Sequence, residues 1–135
     1  MLNPENHRPR SVKDLYDTLD REFHFTFDPC PLFHDISEWD GLKIEWGHSN
    51  FVNPPYSRTF KEQFIRKAYQ ESLKGKRVVM LLPVSTSTKI FHEIILPNCE
   101  IRFLKGRVKF EGVNSSGQIV KNKSGTFDSM VCIFK

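Results

Sequence analysis

Apolar positions recur at helical spacing in two long stretches of the chain. Val12, Leu15, Tyr16 and Leu19 share one helical face, and Ser11 with Asp14 ahead of them is spaced as a capping box. Thr59 and Glu62 repeat that spacing before Phe60, Phe64, Ile65, Ala68, Tyr69 and Leu73, and Gly75 closes the pattern, so a helix is predicted over 59–73. A shorter helix is predicted from about Ser87 to Leu96. Between these lie strand patterns. Phe23 to Phe27 alternates aromatic and polar residues and stops at Asp28-Pro29. Phe51-Val52 is a short strand running into Asn53-Pro54-Pro55. Val78 to Leu82 is apolar without interruption, as in a strand covered on both faces, and Pro83 ends it. Ile101 to Leu104 is a further strand that Arg107 to Phe110 extends, Asn114 to Gly117 is a turn, and Phe127 to Phe134 is the last strand. Residues 29–49 have no clear period and are read as mostly loop.

Strands alternating with helices predict an α/β fold: a mostly parallel, doubly wound sheet finished by an antiparallel hairpin. The expected organisation is a polar arm over 1–10 and a single domain over 11–135. Ligands of such sheets bind at the carboxyl ends of the strands. Asp28, Asn53 and Pro83 each end a predicted strand, so all three are expected on one rim.

Composition narrows the class. The chain has 135 residues, 39% of them apolar, with twelve Phe spread along it, which suits one globular core and not a disordered chain. No apolar run approaches the length of a membrane span, and the polar first residues do not resemble a signal peptide. Cys30, Cys99 and Cys132 are isolated, which points to reduced thiols in a cytoplasmic protein. The five His have neither helical pairing nor a Cys partner, so no metal site is expected. A net charge of +4 is compatible with a polyanionic partner and equally with an ordinary basic surface.

The segment Asn53-Pro54-Pro55-Tyr56 carries a specific chemistry. The exocyclic amine of a nucleobase is a poor nucleophile, because its lone pair is delocalised into the ring. Acceptors for its two N–H groups favour a more tetrahedral nitrogen. The Asn53 side-chain oxygen and the Pro54 carbonyl are suitable acceptors. The prolines fix the loop's direction and remove N–H donors that would compete. Tyr56 offers a flat ring for stacking, worth about 1–3 kcal/mol per base. A base inside a duplex would have to be flipped out to reach it. The plain alternative is a Pro-rich turn with Asn as cap and Tyr in the core.

With these residues in view, the chain resembles the phage-type Dam family of DNA N6-adenine methyltransferases over roughly residues 11–134. The best stretch is Phe51 to Arg58. Leu15-Tyr16, Glu22-Phe23, Phe27-Asp28, Asp40-Gly41-Leu42, Trp46, Lys67-Ala68, Leu81-Leu82-Pro83, Thr86, Thr88, Phe91-His92, Gly106-Arg107 and Lys109-Phe110 are similar as well. The resemblance implies a Rossmann-like (class I) methyltransferase fold, S-adenosylmethionine as methyl donor and DNA adenine as substrate, in proteins of phages and integrated elements that act in the host cytoplasm. Asn53, Pro54, Pro55 and Tyr56 are then the catalytic candidates. Tyr56, Ser57, Arg58 and Arg107 are candidates for holding the substrate, and Asp28, Pro29, Cys30 and Asp40 for the donor.

Three departures shape the expectations. The turn Asp28-Pro29-Cys30-Pro31 has no Gly, although methyltransferases usually approach the donor there with a Gly-rich backbone. Residues 29–50 are too few for the two further βα units of a full methyltransferase sheet, so a reduced sheet is predicted with its first strand at or near an edge. Asp35, Glu38 and Asp40 then replace the usual acidic donor ligands, with Trp39 or Trp46 as an adenine platform or simply as core. Finally, no insertion is long enough for a target-recognition domain. DNA contacts are expected from the Ser85 to Lys89 loop and from Lys105, Arg107, Lys109, Lys121 and Lys123. A homodimer would widen that surface. Competing readings are N4-cytosine methylation, methylation of a protein glutamine, and a non-catalytic methyltransferase-like nucleic-acid-binding module.

Overall fold

The computed structural model of the chain describes residues 11–31, 40–55, 57–113, 119–124 and 127–135. The 1–10 arm, Asp35, Glu38, Trp39, Tyr56 and the 114–117 turn lie outside them.

Helix α1 (Val12–Phe23) starts where the capping spacing puts it: the Ser11 Oγ accepts the Asp14 N–H at 3.1 Å. It runs further than expected, through Phe23, and closes on His24 in the left-handed region at φ 52°. The predicted Phe23–Phe27 strand shrinks accordingly. Thr26 and Phe27 donate their N–H groups to the Ser49 carbonyl, Phe27 accepts from Phe51, and a single parallel bridge joins Phe27 to Asn50. The aromatic alternation is satisfied by packing instead, since Phe25 lies against Tyr16 and Phe51.

Four strands form the main sheet: β1 (Ser49–Val52), β2 (Arg77–Pro83), β3 (Cys99–Phe103) and β6 (Ser129–Phe134), in the order β1-β2-β6-β3. β1 and β2 are parallel, with Val52 opposite Met80. β6 is antiparallel to both β2 and β3 and lies between them. The expected terminal hairpin therefore divides in two. β4 (Lys109–Val113) and β5 (Ile119–Ser124) do form an antiparallel pair, but as a separate two-stranded sheet. The last strand returns to the middle of the main sheet, which is mixed.

Alternation along the buried strands sends neighbours to opposite faces. Phe51, Val79, Leu81, Val131 and Ile133 meet Leu15 and Leu19 of α1. Val52, Val78, Met80, Leu82, Met130, Cys132 and Phe134 meet helix α2 (Arg58–Ser72) through Phe64, Ile65 and Ala68, together with Phe91 and Ile95. Helices thus cover both faces, as a doubly wound arrangement requires. α2 begins on Ser57, which makes no side-chain cap bond, so the Thr59–Glu62 spacing is not a capping box here. Gly75, at φ 87°, turns the chain out of the helix toward β2. The helical run at 89–98 contains a π turn (Phe91–Ile95) that passes into a short α3 (Leu96–Asn98).

Candidate active site

The parallel pairings align three chain ends on one rim of the sheet. Asp28 follows the residue bridged to Asn50, Asn53 follows β1, and Pro83 ends β2. Asn53 is half-buried, Pro54 buried and Pro55 exposed. Ser57 is exposed and leads into α2, whose first residue, Arg58, pairs with Glu62 at 3.2 Å.

The first turn is built without glycine. The Asp28 Oδ1 accepts the Cys30 N–H at 2.8 Å, closing a local turn, and Pro29 is buried. The missing glycine has a counterpart across the loop. A Cβ on Gly41 would fall 1.9 Å from the Pro29 carbonyl oxygen, so the 40s loop meets the turn backbone to backbone. Asp40 beside it caps that loop, its Oδ1 accepting the Leu42 N–H at 3.0 Å. The Trp46 indole N–H donates to the Gly41 carbonyl at 2.7 Å, and the ring is buried and stacked on Phe64. Trp46 is therefore core, not an exposed adenine platform. The Cys30 thiol is pushed up to about 11 by burial and by the Asp28 charge, so it is not a nucleophile.

Sequence reasoning missed Glu71, the anchor of this loop. Its fully buried carboxylate accepts the Trp46 backbone N–H at 2.7 Å and meets Lys74 at 2.7 Å, Lys76 at 3.1 Å and Lys67 at 3.9 Å. Burial alone would raise its pKa. The Lys74 and Lys76 ammoniums and the Trp46 amide outweigh that and hold it at about 2. Asn50 was missed too. Buried, it accepts the Gly47 N–H and donates to the Gly47 and Arg77 carbonyls, which fixes the approach to β1. Neither residue has a periodic signal. A charged or amide residue inside an otherwise apolar pattern is the only hint.

A groove of about 430 Å³ opens at the carboxyl end of β2. Arg58, Lys61, Glu62 and Ile65 of α2 form one wall, and Ser85, Ser87, Thr88 and Lys89 the other. Arg107 stands apart from it, exposed and 3.6 Å from Asp128. Among the described residues no group of three His, Cys, Asp or Glu could hold a metal ion, and no helix is long and apolar enough to cross a membrane.

A mixed α/β sheet with helices on both faces and an Asn-Pro-Pro loop on its carboxyl rim is compatible with a methyltransferase-like fold. The Dam family, described as DNA N-6-adenine-methyltransferase, matches residues 7–135. A DNA N-6-adenine-methyltransferase of Haemophilus phage HP1 is 31% identical over 134 residues, covering 86% of this chain and 72% of that protein. No solved structure matches. The chain belongs to the Dam family, and its activity class is that of the family: methylation of DNA adenine at N6.

Proposed function

We propose that the protein transfers a methyl group from S-adenosylmethionine to N6 of an adenine turned out of the DNA, on a reduced class I methyltransferase fold. The observation that carries this reading is the half-buried Asn53, set with the buried Pro54 at the carboxyl end of β1 and beside the Asp28 turn. The strand order supports the fold: the Phe27 segment, β1 and β2 run parallel, the two outer βα units are absent among the described residues, and an antiparallel strand is inserted before the far edge.

In this reading the Asn53 oxygen and the Pro54 carbonyl accept the two N–H groups of the target amine and turn its lone pair toward the incoming methyl. Tyr56 stacks the base, and Ser57, Arg58 and Arg107 hold the neighbouring backbone. The donor, when bound, supplies a methyl group on a positively charged sulfur. Asp28 and Asp40 suit its cationic amino group and ribose hydroxyls. The tight Pro29–Gly41 contact holds those two carboxylates on either side of one turn. As the C–N bond forms the C–S bond breaks, and the nitrogen then gives a proton to water, so no strong base is required. The reaction is one of the cytoplasm, where DNA and donor are both present.

The test is to incubate unmethylated mixed-sequence DNA with protein and S-adenosylmethionine, digest it to nucleosides and weigh them, with Asn53→Ala in parallel. N6-methyladenine is expected from the wild type and not from the variant. N4-methylcytosine would move the substrate to cytosine. No product together with no donor binding by calorimetry would refute the reading in favour of a non-catalytic module.

A further inference from the structure

We propose that the groove beside the Asn53 loop seats a backbone phosphate of the DNA strand, next to the nucleotide being methylated, with Lys61 and Lys89 as its cations. This rests on the reading of the protein as a DNA methyltransferase and adds residues which that reading did not use.

The argument begins with the two walls. Arg58, Lys61, Glu62 and Ile65 stand at spacings of three and four along α2 and so form a single stripe over its first two turns. The opposite wall is the loop after β2, which is held in shape from within. The Thr88 Oγ1 donates to the Ser85 carbonyl at 3.1 Å and accepts the Phe91 N–H at 3.3 Å. His92 Nε2 lies 2.7 Å from the Thr86 carbonyl, which ties the loop to the π turn. π turns often mark functional positions. The floor is apolar, made of Leu82, Pro83, Ile90, Ile95 and Met130 as well as Ile65.

Charge selects the occupant. Three cations and one carboxylate line the groove, and that carboxylate, Glu62, is engaged by Arg58 at 3.2 Å. Lys61 has no carboxylate partner among the described residues. Among the described residues Lys89 has only a loose, exposed contact with Glu93 at 3.9 Å. The Ser87 hydroxyl adds a donor. Two ammonium groups and a hydroxyl around an apolar floor are complementary to a phosphodiester and its sugar. One wall, α2, follows directly on the Asn53 loop, and Leu82 and Pro83 of the floor end β2, the parallel neighbour of β1.

The experiment follows binding of a fluorescent mixed-sequence duplex by anisotropy across a salt series, with Lys61→Ala, Lys89→Ala, the double variant and Lys61→Arg. Neutralising one phosphate contributes about 0.9 to the slope of log K against log salt. The double variant is therefore expected to lose about that much slope, to raise KM for DNA roughly tenfold and to leave kcat and calorimetric S-adenosylmethionine affinity unchanged, while Lys61→Arg keeps the wild-type slope. An unchanged slope in the double variant overturns the proposal. So does a fall in donor affinity, which would give the groove to the donor's carboxylate. Asn53→Ala separates the two readings: it is expected to keep the slope and lose the product. A wild type that binds DNA but methylates nothing refutes the catalytic reading, and the slope still decides the groove.

Discussion

Replacing Glu71 with Gln removes the charge of the buried carboxylate and keeps its shape and its acceptor for the Trp46 N–H. The folded-state pKa is about 2, against an ordinary 4.5. A depressed carboxylate pKa means that the unfolded chain takes up the proton first. The stabilisation is therefore whole above about pH 4.5, shrinks as pH falls and is gone below about 2. At 1.36 kcal/mol per pKa unit the shift corresponds to about 3 kcal/mol at neutral pH, and solvent screening at the half-exposed Lys74 reduces this to about 2–3 kcal/mol. At pH 3 roughly 2 kcal/mol of it has been lost by the same linkage, leaving a gap of about 1 kcal/mol or less between wild type and Glu71→Gln. Urea unfolding of both proteins at pH 7, 5, 4 and 3 measures this directly, because the other carboxylates titrate in both and cancel in the difference. A gap that stays constant from pH 7 to 3 would show that the lysines do not act on Glu71 as a charge. The absence of any gap at pH 7 would refute the argument altogether.

Two further outcomes follow from the same loop and from the core. Gly41→Ala places a methyl carbon on the Pro29 carbonyl, and since both partners are backbone the clash has no easy relief. A loss of about 1–3 kcal/mol is expected, with weaker donor binding, read by thermal unfolding and calorimetry. An unchanged midpoint would mean that the two segments are not in contact. Burial pushes the Cys30 thiol up to about 11 and Cys132 to about 12, and Cys99 is raised as well. At pH 7.5 all three are expected to react with a disulfide reagent far more slowly than in the urea-unfolded chain, and rapid labelling of any one in the native protein would contradict its burial.

Much of this arrangement is legible in the residues, and the failures have physical reasons. Ser11 and Asp14 announced α1 because a cap is a local interaction. Thr59 and Glu62 have the same spacing but fall inside α2, which already starts at Arg58 with Ser57 as its N-cap. Phe23 to Phe27 looked like a strand because aromatic alternation reports which face is covered and not whether a ladder forms. The sequence pattern puts β6 in a terminal hairpin because a strand buried at every position carries no mark of its neighbours or direction. Asp28, Asn53 and Pro83 are assignable to one rim from strand ends alone. Glu71, Gly41 and Lys61 could not, because their importance lies in what faces them from distant parts of the chain.

The position of β6 also gives the molecule a history. Its neighbours β2 and β3 are made well before it, yet each is paired along one full side by residues 129–134. Until that segment leaves the ribosome, the nascent chain carries the apolar run Val78–Leu82 with an unpaired strand edge beside it. Such edges invite association with other chains. The sheet then closes through contacts between residues far apart in sequence, which is intrinsically slow. Synthesis interrupted before residue 129 would leave the facing edges of β2 and β3 uncovered, and the fragment would be prone to associate with other chains.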